Sequence, residues 1–172
     1  MFKQIALATI AAITTTMPAL ANNINQHNQL LTAVNSTGIT TRINPAECDV
    51  EPGAFGWYSA RNAELVICQE NKIKGSSRQV EWTAEDFDTV RHEAHHVAQD
   101  CRDNSLNGRL NSVYKDPVGL AADVLNEKFI DGIIESYGSR GKHIVIMELE
   151  AFSVAAINDP IEQVQDIKRY CF

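Results

Sequence analysis

The sequence predicts an α+β domain, mostly helical, with a small antiparallel sheet beside its central helix. Three observations carry that prediction. Helical periodicity with capping signals recurs over residues 83–101, 116–137, 143–157 and 159–171. Two strand-like runs, 55–59 and 64–68, flank Ala60-Arg61-Asn62-Ala63 and read as a β-hairpin with Asn62 in the turn. Neither an internal repeat nor a low-complexity linker divides the chain, so one domain is expected.

The elements follow in chain order. Residues 1–21 look like a secretory signal: Lys3, then an uncharged apolar and Thr-containing stretch, then Ala19-Leu20-Ala21 as the cleavage site. An N-terminal membrane anchor fits less well, because the run is short and Pro18 breaks it. Cleavage after Ala21 leaves 22–172, long enough for one domain with its own core. Residues 24–36 read as a short amphipathic helix with Gly38 as its C-cap, and 39–43 alternate weakly, as a strand would. Thr83 is placed to cap the next helix, with Asp86 completing a capping box. Residues 102–115 are polar and read as a loop. Asp116-Pro117 opens a helix expected to reach Tyr137, and Asp159-Pro160-Ile161-Glu162 opens the last one.

The formal charge is −7, and −8 once Lys3 is removed. That argues against nucleic acid or anionic lipid as partner, since both need a basic surface, and leaves peptide or protein substrates open. No later segment is apolar enough to span a bilayer, so no stable membrane insertion is expected after cleavage, and the location is secreted or periplasmic. All four cysteines, Cys48, Cys68, Cys101 and Cys171, lie beyond the signal. An even count in an exported chain suggests two disulfides. Cys48–Cys68 would tie down the hairpin. Cys101–Cys171 would join two core-facing helix stripes. A cysteine zinc site is the weaker reading, because no pair has C-x-x-C spacing. Oligomeric state is not legible.

The chemistry is concentrated in His92-Glu93-Ala94-His95-His96, an H-E-x-x-H pattern on the second of these helices. Residues four apart stack on one helix face, so His92 and His96 can present two imidazoles to one metal ion, with Glu93 in reach of a water as general base. At about 100° per residue, Phe87, Val90, Ala94, Val97, Ala98 and Cys101 form an apolar stripe, and His92, His96 and Gln99 lie opposite, as a metal cleft requires. His95 points aside, as a supporting or surface residue. A catalytic zinc needs a third protein ligand. The zincin arrangement with a third His six residues on is excluded, because Gln99 and Arg102 occupy its Gly and His positions. Glu148 is the best candidate by helical geometry: Ile144, Ala151, Phe152 and Ala155 flank it, and a carboxylate within an apolar stripe is costly unless paired or metal-bound. Glu150, His143 and Asp100 remain alternatives. Glu150 lies nearer the opposite side and reads as solvated.

The first motif together with Glu148-Leu149-Glu150-Ala151 resembles the gluzincin group of zinc metallopeptidases. In several of its families the third ligand is the Glu of a later E-x-x-A segment. Glu148 matches that pattern and Glu150 does not. The resemblance covers the two motif helices and plausibly the hairpin before them. It implies a zincin-like domain that binds Zn²⁺ through His92, His96 and Glu148, and hydrolyses peptide bonds with Glu93 as base. An extended peptide would align along the hairpin edge. Phe152 departs from the Asp or Asn that some of these families carry after the Ala, which leaves a supporting partner of the site unidentified. The competing expectations are a non-catalytic, disulfide-stabilised module that binds metal or a partner protein, and a helical exported protein in which the motif is accidental.

Overall fold

The computed structural model describes residues 17–50 and 53–172. Most of the expected signal segment therefore lies outside the described residues. The first helix, α1, spans Met17–Ser36 and so begins upstream of the expected first mature residue, Asn22. Three short strands follow, β1 (Thr40–Ile43), β2 (Gly56–Ser59) and β3 (Glu64–Ile67), and then five helices: α2 (Ala84–Cys101), α3 (Pro117–Val124), α4 (Glu127–Tyr137), α5 (Lys142–Ile157) and α6 (Pro160–Cys171). The fold is α+β and mainly helical. No helix among the described residues is long and apolar enough to cross a membrane.

The expected antiparallel sheet is instead a mixed one, ordered β1–β3–β2. β2 and β3 form the predicted hairpin, with Gly56 opposite Ile67 and Ser59 opposite Glu64. β1 pairs in parallel with the other edge of β3, Thr40 beside Glu64 and Ile43 beside Ile67. The cause lies in β3. Leu65, Val66 and Ile67 do not alternate with polar residues, and all three are 0% exposed. A strand apolar on both faces belongs in the centre of a sheet, so β1 takes its second edge. Ala63, at φ 49°, supplies the left-handed residue that closes the hairpin after the short turn Ala60–Asn62. The Cys48–Cys68 disulfide fastens the turn Ala46–Asp49 to the end of β3.

α2 is the spine. Its N-terminus carries the predicted box: Asp86 N–H donates to Thr83 Oγ1 (3.2 Å) and Thr83 N–H to Asp86 Oδ2 (2.9 Å). Fourteen of its eighteen residues are buried, so it has no solvent face. The apolar stripe packs on α1, β3 and α6 through Leu30, Val34, Leu65, Ile67, Val164 and Ile167. The face carrying His92, His96 and Gln99, expected to border an open cleft, is covered by α5. Cys101–Cys171 staples α6 to the end of α2 as predicted.

The helix expected from 116 to 137 is broken. Leu125 is extended, and Asn126 starts α4 by accepting from Phe129 N–H (3.0 Å). A short polar side chain that can satisfy a free backbone donor favours a new N-terminus over continuing the helix. The two pieces let Ala121, Leu125, Phe129, Ile133 and Tyr137 close over α5 as a second, smaller core with Leu149 and Phe152.

Candidate metal centre

α2 brings His92 and His96 onto α5 at the height of Glu148. His92 Nε2 is 3.2 Å from His96 Nε2, and Glu148 Oε2 lies 3.2 Å from the former and 3.5 Å from the latter. Each of the three residues is 6% exposed. Donor atoms on a tetrahedral zinc, with bonds of roughly 2.0–2.1 Å, sit about 3.3–3.4 Å apart, which is the size of this triangle. Glu148 Oε2 meets only the two facing imidazoles, and His92 Nδ1 is buried without a partner. Buried polar atoms are nearly always hydrogen-bonded. Three lone-pair atoms converging on one point, with no partners there but one another, fit a divalent cation. The chain thus holds a buried His92–His96–Glu148 group able to bind a metal ion.

The local electrostatics favour positive charge at that point. Burial opposes a proton on His96, but the Glu148 and Glu93 carboxylates outweigh it and push this imidazole up. Burial likewise disfavours the Glu148 carboxylate, yet the charge on His96 and the facing His92 hold it well below the ordinary range. A metal ion entering this position competes with the His96 proton. Glu93, 3% exposed, stands beside the triangle. Burial pushes its carboxyl up, against the pull of the two imidazoles and of the Tyr58 backbone N–H. A glycine at position 56 makes that approach possible, because a Cβ there would sit 2.6 Å from Val66 O and 2.8 Å from Thr89 Cγ2.

The other candidates lie elsewhere. Asp100 accepts from Tyr58 Oη (2.5 Å), Gly108 N (2.8 Å) and Asn107 N (3.1 Å), and so anchors the loop after α2. His143 is exposed and its Nε2 donates to Leu110 O (2.7 Å). Glu150, expected to be solvated, is 0% exposed. Its Oε1 accepts from His95 Nε2 (2.8 Å), Val113 N (2.9 Å) and Gln99 Nε2 (3.1 Å), and its Oε2 from Ser112 Oγ and Tyr114 N (3.3 Å). The 112–114 segment folds over α5 and caps it, a contact that helical periodicity cannot foresee. Burial pushes the His95 proton affinity down against the pull of Glu150, and this His is turned to Glu150 and away from the triangle.

Two features of the site were not read from the sequence. Phe152 packs on His92, ring centres 4.1 Å apart, where a polar partner was looked for. A cavity of about 500 Å³ opens beside His92 and Glu93, walled by Phe55, Leu125, Phe129, Tyr137 and Phe152. Arg91 frames it from α2, with Nε on Ala155 O (2.8 Å), Nη1 on His27 Nε2 (3.2 Å) and Nη2 on Asp88.

No curated protein and no solved structure matches the chain. A family described as a domain of unknown function (DUF8637) matches residues 20–172, and the chain belongs to that family.

Proposed function

We propose that the protein is an exported zinc-dependent hydrolase, a metallopeptidase in which His92, His96 and Glu148 hold the ion and Glu93 is the general base. The observation that carries this reading is the triangle of converging donor atoms, set beside a buried glutamate on the wall of a cavity. The resemblance of the two motif helices to gluzincins, carried by the same residues, points the same way. A zinc ion held by these residues supplies a Lewis acid that acidifies water and polarises a carbonyl. Glu93 accepts the proton that the attacking water gives up and returns it to the leaving nitrogen. The aromatic and aliphatic cavity walls receive an apolar side chain of the peptide and keep bulk water out. β2 pairs only with β3 among the described strands; its outer edge gives the Tyr58 N–H to Glu93, and an extended peptide main chain would pair along the rest of that edge. Two disulfides fit an oxidising compartment outside the cytoplasm.

The test is metal content by mass spectrometry on the oxidised protein, with a peptide-library digest beside it. One zinc per chain is expected in the wild type and none in Glu148→Ala. Glu93→Gln is expected to keep its zinc and lose hydrolysis by roughly 10²–10⁴-fold. Retained hydrolysis in Glu93→Gln refutes the mechanism. Zinc without hydrolysis in the wild type leaves the metal-binding module as the function.

A further inference from the structure

Gln99 joins the two Glu/His systems of the molecule. Its Nε2 donates to Met147 O (3.0 Å) and to Glu150 Oε1 (3.1 Å), both of which can only accept. Its oxygen must therefore face the other way, and it lies 2.8 Å from His96 Nδ1. An amide oxygen only accepts, so Nδ1 must carry a hydrogen, and the lone pair of the neutral ring is left on Nε2, which faces Glu148 and His92. Turning the Gln99 amide over would break both donor bonds and place its oxygen against a carboxylate. Glu150 makes that reversal costly, and Glu150 is itself fixed by donors from α2 and from residues 112–114. His92 has no such support, since its Nδ1 is unpartnered and its ring is held by Phe152.

We propose that Gln99 and Glu150 are positioning residues for the metal centre: together they set the tautomer and direction of His96 and tether the 112–114 segment to that ligand. The inference rests on the metal-binding reading above. It differs from a packing role because it concerns which ring nitrogen faces the ion. Supporting partners of metal-bound His residues are typically worth 10–100-fold in metal affinity, and that is the range expected here.

The experiment measures zinc affinity of the oxidised protein by competition with a chromophoric chelator, and records ¹H–¹⁵N spectra of the histidine rings at saturating zinc. Wild type should show His96 ligated through Nε2, with a slowly exchanging Nδ1–H. Gln99→Leu and Glu150→Gln should each bind zinc about 10–100-fold more weakly, and Gln99→Leu should lose exchange protection at Nδ1. Unchanged affinity and a protected Nδ1–H in Gln99→Leu overturn the proposal while leaving the metal centre standing. If the variants do not fold, the wild-type spectrum decides: ligation through Nδ1, or an unprotected Nδ1–H, overturns it. A folded wild type that binds no zinc overturns the metal centre itself and this inference with it.

Discussion

His27 provides an acid-sensitive lock between α1 and the rest of the molecule. It is buried, its ring stacks on Phe87 with centres 4.3 Å apart, and its Nδ1–H donates to Asn23 O (2.8 Å). Its Nε2 accepts from Arg91 Nη1 (3.2 Å), whose Nε also holds Ala155 O. A second proton would be buried beside the Arg91 guanidinium, and the Phe87 and Asn23 backbone only partly offset that. Burial, helped by the Arg91 charge, lowers its pKa from 6.5 to about 4. The unfolded chain therefore takes up a proton below pH 6.5 that the folded one refuses until about 4. Stability is intact above the upper value and drains away as pH falls through this window, by about 3 kcal/mol in all. Asp88, whose carboxyl burial pushes up, works in the opposite sense at the acid end. The contribution of His27 is thus read as a difference between proteins. Urea unfolding followed by circular dichroism from pH 7.5 to pH 4, with a chelator present, should show wild type losing about 3 kcal/mol more than His27→Gln. The glutamine keeps an acceptor for Arg91 and does not titrate. Parallel stability curves for the two proteins would refute the argument.

Three further outcomes follow from the packing. The Cys101–Cys171 bridge closes 70 residues and Cys48–Cys68 closes 20. Chain entropy makes the first worth about 4 kcal/mol and the second about 3 kcal/mol, so the Cys101→Ser/Cys171→Ser double variant should have the lower urea midpoint of the two pairwise removals. Gly56→Ala should cost about 1–3 kcal/mol, because the new methyl meets Val66 O and Thr89 in the space where β2 approaches α2; a wild-type unfolding midpoint would show that the strand can retreat freely. Glu150→Ala should destabilise the fold by about 1–3 kcal/mol for each buried donor it strands among His95, Gln99 and Val113. Thermal unfolding measures it, and a change under 1 kcal/mol would mean that water replaces the carboxylate.

Local signals were the legible part of the fold. The boxes at Thr83–Asp86 and Asp159–Glu162, the Asp116-Pro117 start and the positive φ of Gly38 are decided by the few residues that make them. What escaped depends on distant partners. The parallel place of β1 follows from the burial of Leu65, Val66 and Ile67 on both faces, which their unbroken apolar run could have signalled. The burial of Glu150 had a cue too. α5 carries Ile144, Val145, Ile146, Met147, Leu149, Ala151 and Phe152 around its whole circumference, and a helix apolar all round has no solvent side for a carboxylate to occupy. Assigning Glu150 to solvent treated α5 as amphipathic when its sequence is not.

The spacing of His92, His96 and Glu148 was legible because each lies on a helix whose period fixes which residues share a face. The role of Phe152 was not, because packing on a ring leaves no motif. The contrast between the two Glu/His systems carries more than either alone. Both are buried between the same two helices. In one, Glu150 meets five donors and holds a loop, so every charge and dipole at that carboxylate is answered within the chain. In the other, Glu148 Oε2 faces only two imidazole nitrogens, at 3.2 and 3.5 Å, and both belong to the same triangle of possible ligands. Desolvating a carboxylate costs several kcal/mol, and an ion pair repays that only when the remaining lone pairs are also satisfied. The chain supplies five donors to a buried glutamate two residues away, so the sparsely satisfied one is best understood as completed by what it binds. A cation at the centre of the triangle does that, taking the place of the proton that the Glu148 and Glu93 carboxylates hold on His96.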